Sequence, residues 1–302
     1  RLKLVMPDKK EVLDVDVYVG GSDKPFQRLL RTVDLLGRRE LLRAIGSVTA
    51  QWTGSDSNVQ QLVGHMANVD IPTKKGVPFI GYYEDRFVTP EVILTSNGIE
   101  ENSDYVYVPQ GVIYEEYVKF PKCEDWPALA REVLKRVLYL QPPSVILPIV
   151  GWFFACPATP VFRKKWNEFP ILHAWGTGGS GKTSIIQLFM NLMGVTAEPF
   201  STSMKEFALI KLLSCTNSLP VFLDEYRPYH MEQKRLKSFH EKLLLIYKAS
   251  KESRGKPDQT TVEYRLMAPV VIAGEAPLPE TGTGLQERVL QIRFNRNFID
   301  EH

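Results

Sequence analysis

The spacing of apolar positions along this chain changes near residue 126. Before it, short apolar and polar alternations dominate. Residues 11–19 alternate as a strand, and residues 77–83, 86–88, 91–95 and 105–108 read as a run of short strands with turn residues such as Asn97-Gly98 between them. Residues 25–37 and 38–52 carry apolar side chains at helical spacing and predict two helices. After residue 126 the pattern is helical. Residues 128–140 show i, i+3, i+4 apolar spacing, Pro142-Pro143 interrupts it, and residues 145–156 form an apolar helix that leads into Arg163-Lys164-Lys165. These shifts predict a small α/β module over residues 1–124, a helical collar over 125–168 and a third domain over 169–302, with a boundary at 122–126.

In the third domain, residues 171–175 read as a buried strand and residues 184–193 as an amphipathic helix. The nine residues from Gly176 to Ser184 join them and read Gly-Thr-Gly-Gly-Ser-Gly-Lys-Thr-Ser, a complete Walker A loop in the strand-loop-helix context that motif requires. Gly176, Gly178, Gly179 and Gly181 allow the positive dihedrals of a phosphate nest, and Thr177 and Ser180 complete it. The helix N-terminus behind them directs unpaired N–H groups and positive dipole at an anion. Lys182 is placed to reach the β- and γ-phosphates, and Thr183 to set its hydroxyl on Mg²⁺. A second apolar run, residues 219–223, ends in Asp224-Glu225. Asp224 suits the metal, through water, and Glu225 suits orienting or deprotonating the attacking water. ATP and Mg²⁺ are the cofactors these residues imply.

Composition permits this reading without selecting it. The chain has 302 residues, 44% of them apolar, and a net charge of +2. Residues 1–160 carry 18 basic and 20 acidic side chains, and residues 161–302 carry 19 and 15, so the half with the glycine loop is mildly basic. That is weak support for a polyanion partner. Cys123, Cys156 and Cys215 have no metal-ligand spacing, nor do the five histidines pair with them, so no structural zinc and a reduced, cytoplasmic setting are expected. The apolar stretch 145–156 is interrupted by Pro148 and is shorter than the roughly 20 residues of a membrane span. A start at Arg1 rather than Met suggests an excised piece of a larger protein.

More than forty residues separate Asp224-Glu225 from the next strongly apolar strand, residues 267–273. They hold a long helix over 233–249 and two short arms around Gly255-Lys256-Pro257-Asp258, which read as a β-hairpin with a basic tip. The Walker loop, the Asp-Glu strand, this hairpin before the next strand, Ala273-Gly274-Glu275, the late Arg288 and the segment from Gly81 to Pro90 together resemble the AAA+ MCM-like helicases of plasmids, phages and staphylococcal cassette chromosomes. The resemblance implies an α/β fold, a P-loop AAA+ core with a parallel sheet flanked by helices.

It also implies an ATP-driven ring, a hexamer of one chain, that moves along single-stranded or forked DNA, and it leaves room for a primase or polymerase on missing flanks. Glu275 then falls near the sensor position, a departure from the usual Asn, Ser or Thr. Arg288 becomes the arginine finger offered to a neighbouring subunit, with Arg227 and Arg293 as alternatives. Arg254, Lys256 and Lys251 become phosphate contacts of the hairpin. A superfamily 3 initiator helicase, a packaging motor and a regulatory P-loop switch share the nucleotide chemistry and remain open alternatives.

Overall fold

The computed structural model describes residues 1–19, 24–47, 52–120, 125–255, 261–279 and 284–295. They form two compact units. The first comprises residues 1–78 and 100–108, the second residues 79–99 and 109–302.

The first unit opens with strands β1 (Leu2–Val5), β2 (Glu11–Val17) and β3 (Phe26–Arg31), then helices α1 (Arg38–Ile45) and α2 (Asp56–Ala67), then β4 (Thr73–Val77). The chain next supplies a four-stranded antiparallel meander to the second unit: β5 (Gly81–Tyr83), β6 (Arg86–Val88), β7 (Ile93–Thr95) and β8 (Gly98–Ile99). It returns with β9 (Tyr105–Tyr107), which completes the sheet β3-β2-β1-β4-β9.

The first unit departs from the helical expectation over residues 25–37. Phe26, Leu29 and Leu30 have helical spacing, yet the segment is the edge strand β3, paired along its length with β2 from Val12↔Arg31 to Val17↔Phe26. A single 3₁₀ turn follows over Thr32–Leu35. Strand pairing from Val12 to Val17 still buries Leu30 against Leu41, Ile45 and Val59, so the tertiary alternative outweighs the weak local preference. The second expected helix is shorter than residues 38–52, because Gly46 takes a left-handed φ of 58° and closes α1 with its N–H on the Leu42 carbonyl. Helix α2, capped by Ser55 and its partner Asn58, was not anticipated.

The expected boundary at 122–126 lies largely outside the described residues, and the units divide elsewhere. The meander belongs with the glycine-loop unit for a local reason. The Tyr82 N–H donates to Asn217 Oδ1 at 2.9 Å, and Asn217 Nδ2 returns a bond to the Tyr82 carbonyl at 2.8 Å. Gly81, at φ 127°, lets the backbone come that close: a Cβ there would lie 2.1 Å from Asn217 Oδ1. Tyr114 is fully buried in the same unit and donates to the Pro220 carbonyl.

The rest of the second unit runs through α3 (Trp126–Val137), α4 (Pro143–Ala155), α5 (Thr159–Trp166), β10 (Ile171–Gly176), α6 (Lys182–Leu192), β11 (Phe200–Ser201), α7 (Glu206–Ser214), β12 (Val221–Tyr226), α8 (Gln233–Tyr247), β13 (Lys251–Gly255), β14 (Thr261–Arg265), β15 (Val270–Gly274) and β16 (Val289–Phe294). Five of these strands form a wholly parallel sheet in the order β11-β12-β15-β10-β16. Its central strands are near-continuous apolar runs, as a parallel sheet covered on both faces requires. Strands β13 and β14 form a separate antiparallel hairpin in register from Lys251↔Arg265 to Gly255↔Thr261.

The apolar helix is longer than its sequence suggested. Pro143–Trp166 forms a 24-residue helical run of mean hydropathy 1.8, long and apolar enough by itself to cross a membrane. Its inner face packs as a core helix does: Ile146, Ile149, Trp152 and Phe153 are buried, Phe153 stacks on Phe189 of α6, and Trp152 donates to the Pro170 carbonyl. Arg163, near its end, donates to the carbonyls of Ile246 and Met267, which ties the run to the sheet's supporting elements.

Candidate functional site

Parallel strands carry their C-terminal ends to one edge of a sheet, and ligand-binding crevices form there. Along this edge lie the end of β10 with the glycine loop, the end of β12 with Asp224-Glu225, the end of β15 with Gly274-Glu275 and the end of β16 with Arg293-Phe294. Two glycines let these strand ends approach. A Cβ on Gly176 would meet the Phe294 carbonyl oxygen at 2.3 Å, and one on Gly274 the Tyr226 carbonyl oxygen at 2.3 Å.

The loop passes through Gly179 at φ 74° and Gly181 at φ 81°, and Gly181 is the N-cap of α6, with no side chain to occupy the helix's first N–H groups. Thr177, Gly178 and Gly179 are exposed, whereas Ser180 and Lys182 are buried. Lys182 Nζ donates to the carbonyls of Gly176 and Thr177, both at 2.8 Å, and to Ser180 Oγ at 3.2 Å. Burial lowers its pKa, and the charges of Asp224 and Glu275 oppose that shift. The loop therefore holds an ammonium group at the centre of a backbone cradle, a fit for a phosphate-bearing ligand.

Thr183, the next residue of α6, donates from Oγ1 to Asp224 Oδ2 at 2.8 Å. A hydroxyl and a carboxylate oxygen presented together are hard ligands that suit Mg²⁺. Ser184 is exposed on the same first turn. Asp224 also accepts the Glu225 N–H at 2.7 Å, and the Glu225 carbonyl accepts from Thr202 Oγ1 at 3.0 Å. Glu225 itself adopts φ 62°, where the β12–β15 register shifts between Leu223 and Tyr226. This bulge breaks the alternation of the strand and presents Glu225 to solvent beside Asp224, with strain of order 1–3 kcal/mol that the neighbouring bonds must sustain.

Glu275 is exposed and pairs with Arg227 at 3.5 Å. Its carboxylate faces the loop, 4.0 Å from where a Cβ on Gly178 would lie. A cavity of about 370 Å³ opens between Trp175–Thr177, Glu275 and residues 293–295, with the Arg293 guanidinium 5.2 Å over the Trp175 ring. Trp175 and Asn295 were not anticipated, and Arg293 entered only as an alternative finger. The available signal was positional, since Trp175 lies at the end of β10 and Arg293 and Asn295 at the end of β16, which pairs with β10.

Arg288 is remote from this cluster along the sheet. It closes a 3₁₀ turn just before β16 begins, at the opposite edge from the glycine loop, donates to the Gly284 carbonyl and lies 5.6 Å over the Tyr247 ring. It does not join the other residues within its own chain. Of the hairpin candidates, Lys251 pairs with Glu263 across the two strands at 2.6 Å, Arg254 lies on β13, and Lys256 lies outside the described residues.

Behind the site, His173 on β10 is fully buried, and burial lowers its pKa to about 4 against the opposing effect of a side-chain hydrogen bond with Gln291. Its ring meets Tyr226 edge-on at 5.4 Å.

No family model and no curated protein matches the chain. Among solved structures it is similar to one described as "SCCmec type IV Cch - active helicase", with a TM-score of 0.53 at 18% identity over 100% of this chain and 56% of that one. A second likeness, to the A form apo structure of the NrS-1 C-terminal region, has a TM-score of 0.42 at 12% identity and covers 99% of this chain and 60% of that one. The chain spans under two thirds of either structure. At this identity the first likeness establishes a shared mixed α/β fold.

Proposed function

We propose that this chain is the motor portion of an ATP-dependent DNA helicase or translocase of a mobile element or virus, an AAA+ P-loop ATPase acting as a ring. The observation that carries the proposal is the convergence of Lys182, Thr183 and Asp224 at one edge of a parallel sheet, with Thr183 and Asp224 2.8 Å apart. The fold shared with a solved structure described as an active helicase supports it.

On this reading the N–H groups of the loop and Lys182 bind the triphosphate, and Thr183 with Asp224 holds Mg²⁺. The metal supplies neutralisation of phosphate charge. Glu225 orients a water and accepts its proton, and its bulged backbone presents the carboxylate beyond the metal pair rather than into the sheet. Strand β15 lies between β10 and β12, so the strands that carry the loop and the acidic pair are two inter-strand spacings, about 9–10 Å, apart. Glu275, held by Arg227, lies close enough to the loop to order the same water.

Arg288, at the far edge of the sheet, serves a neighbouring subunit's nucleotide rather than its own, which couples hydrolysis to assembly. Arg254 and Lys256, with Lys251 when released from Glu263, contact the phosphates of a single strand without reading its bases.

The test is steady-state ATPase activity with and without single-stranded DNA at fixed moderate salt, for the wild-type chain, Lys182→Ala and Arg254→Ala/Lys256→Ala. The proposal expects DNA-stimulated hydrolysis that the hairpin variant loses, with Lys182→Ala inactive throughout. Hydrolysis by an assembled ring that ignores both DNA and the hairpin substitutions favours a regulatory P-loop switch instead.

A further inference from the structure

One buried polar contact next to the acidic strand end has no part in the chemistry above. Tyr226, the residue after Glu225, is fully buried, and its hydroxyl shares a hydrogen bond of 2.8 Å with His240 Nε2 of α8, itself buried. Phe239 stacks against the Tyr226 ring at 5.9 Å and His173 meets it edge-on. Burial raises the phenol's pKa and lowers the imidazole's, so the contact joins two neutral groups.

Its position gives it two consequences. Glu225 holds a left-handed φ that a non-glycine residue keeps only where the surroundings impose it. On one side Thr202 and Asp224 impose it through hydrogen bonds; on the other, the chain continues directly into the anchored Tyr226 ring. Relaxing Glu225 therefore requires moving that ring against α8.

Helix α8 in turn leads into the hairpin. Two residues beyond His240, Lys242 Nζ lies 3.0 Å from Glu252 of β13 and 3.2 Å from Glu206 of α7. At the helix end, the Ser250 N–H bonds the Leu245 carbonyl, the Leu266 N–H bonds the Ser250 carbonyl, and Arg265 of β14 donates to the Ala249 carbonyl. Phe207 of α7 meets Tyr264 of β14 edge-on at 5.8 Å. A series of contacts, buried at Tyr226, His240 and Lys242 and more exposed at Glu206 and Phe207, runs from the acidic strand end through α8, with α7 beside it, to the hairpin root.

We infer that Tyr226 and His240 are positioning residues: their hydrogen bond holds Glu225 in its bulged conformation and makes α8 the lever through which the acidic strand end and the β13–β14 hairpin move together. The consequence for catalysis rests on the proposed hydrolytic role of Glu225, but the mechanical link is a property of the protein alone.

Two measurements test it. In the ligand-free protein, amide hydrogen exchange is followed over residues 222–226 and 251–255 for wild type, Tyr226→Phe, His240→Ala and His240→Gln. Loss of one buried hydrogen bond, worth about 1–1.5 kcal/mol, is expected to speed exchange about tenfold in both segments together for Tyr226→Phe and His240→Ala. His240→Gln, which keeps a polar partner for the hydroxyl, restores much of the protection. Faster exchange confined to residues 222–226 overturns the lever.

The same variants are then assayed for ATP hydrolysis. A kcat lowered about tenfold at unchanged KM, with DNA stimulation lost, supports the positioning role, and equal effects on kcat and KM, or no effect, overturn it. A wild-type protein that never hydrolyses ATP overturns the motor proposal, while the exchange data still decide the link.

Discussion

Thr183 donates its hydroxyl hydrogen to Asp224 Oδ2 across 2.8 Å, although 41 positions separate the two residues. The contact joins the first turn of α6 to the end of β12, and it places two oxygen ligands where one hard cation would take both. Thr183→Ala and Asp224→Asn are each expected to lower Mg²⁺-dependent kcat by about 10²-fold, about 2.7 kcal/mol of lost charge stabilisation. Because the two act as a unit, the double variant should be little worse than either single one. A Mg²⁺ titration of hydrolysis for the three variants checks this, and additive losses would separate the two roles.

Glu225 reverses the usual ranking of alanine and glycine. At an ordinary position alanine is the more stable by about 0.5–1 kcal/mol, but at φ 62° a Cβ carries about 1–2 kcal/mol of strain. Glu225→Gly is therefore expected to be more stable than Glu225→Ala by about 1 kcal/mol, with hydrolysis lost in both. Urea unfolding of the two variants measures the difference.

His173 ties stability to pH. Its folded pKa is about 4, below the ordinary value near 6.5, so on acidification the unfolded chain binds a proton before the folded one does. This contribution to stability is fully present above about pH 6.5 and declines as the pH falls toward 4, by about 3 kcal/mol at most. Comparing urea midpoints at pH 7.5 and 4.5 for wild type and His173→Leu should show a smaller acid loss in the variant. An identical loss would place the acid sensitivity elsewhere.

Lys242 is almost wholly buried between Glu252, also nearly buried, and the more exposed Glu206. Lys242→Met removes the ammonium that the nearly buried Glu252 carboxylate faces and is expected to cost about 3 kcal/mol, whereas Lys242→Met/Glu252→Gln should recover more than half of it. Thermal or urea unfolding of both variants provides the check.

Much of the second unit was legible from local pattern. The glycine loop between β10 and α6, the acidic end of β12, helix α8, the arms of the hairpin and strand β16 each lie within a few residues of where periodicity and turn chemistry put them. The bulge at Glu225 was not legible, because Val-Phe-Leu-Asp-Glu-Tyr alternates no differently from a regular strand end. Its positive φ coincides with the bond from Thr202 to the Glu225 carbonyl and with the Tyr226 hydroxyl bonded to His240 of α8, and both of those partners come from segments outside the strand.

The sequence by itself determined which residues are candidates for holding phosphate and metal, since the loop's conformational freedom and the order lysine, hydroxyl, carboxylate are local chemical properties. Only the tertiary structure decided what those residues are attached to. Residues 26–31 became a strand because pairing with β2 outweighs local propensity, and residues 79–99 joined the glycine-loop unit because Asn217 captures the backbone at Tyr82. Arg288 came to the sheet edge opposite the loop because β16 runs parallel to β10. In each case the deciding energy lies in contacts between segments distant in the chain, which no window of the sequence contains.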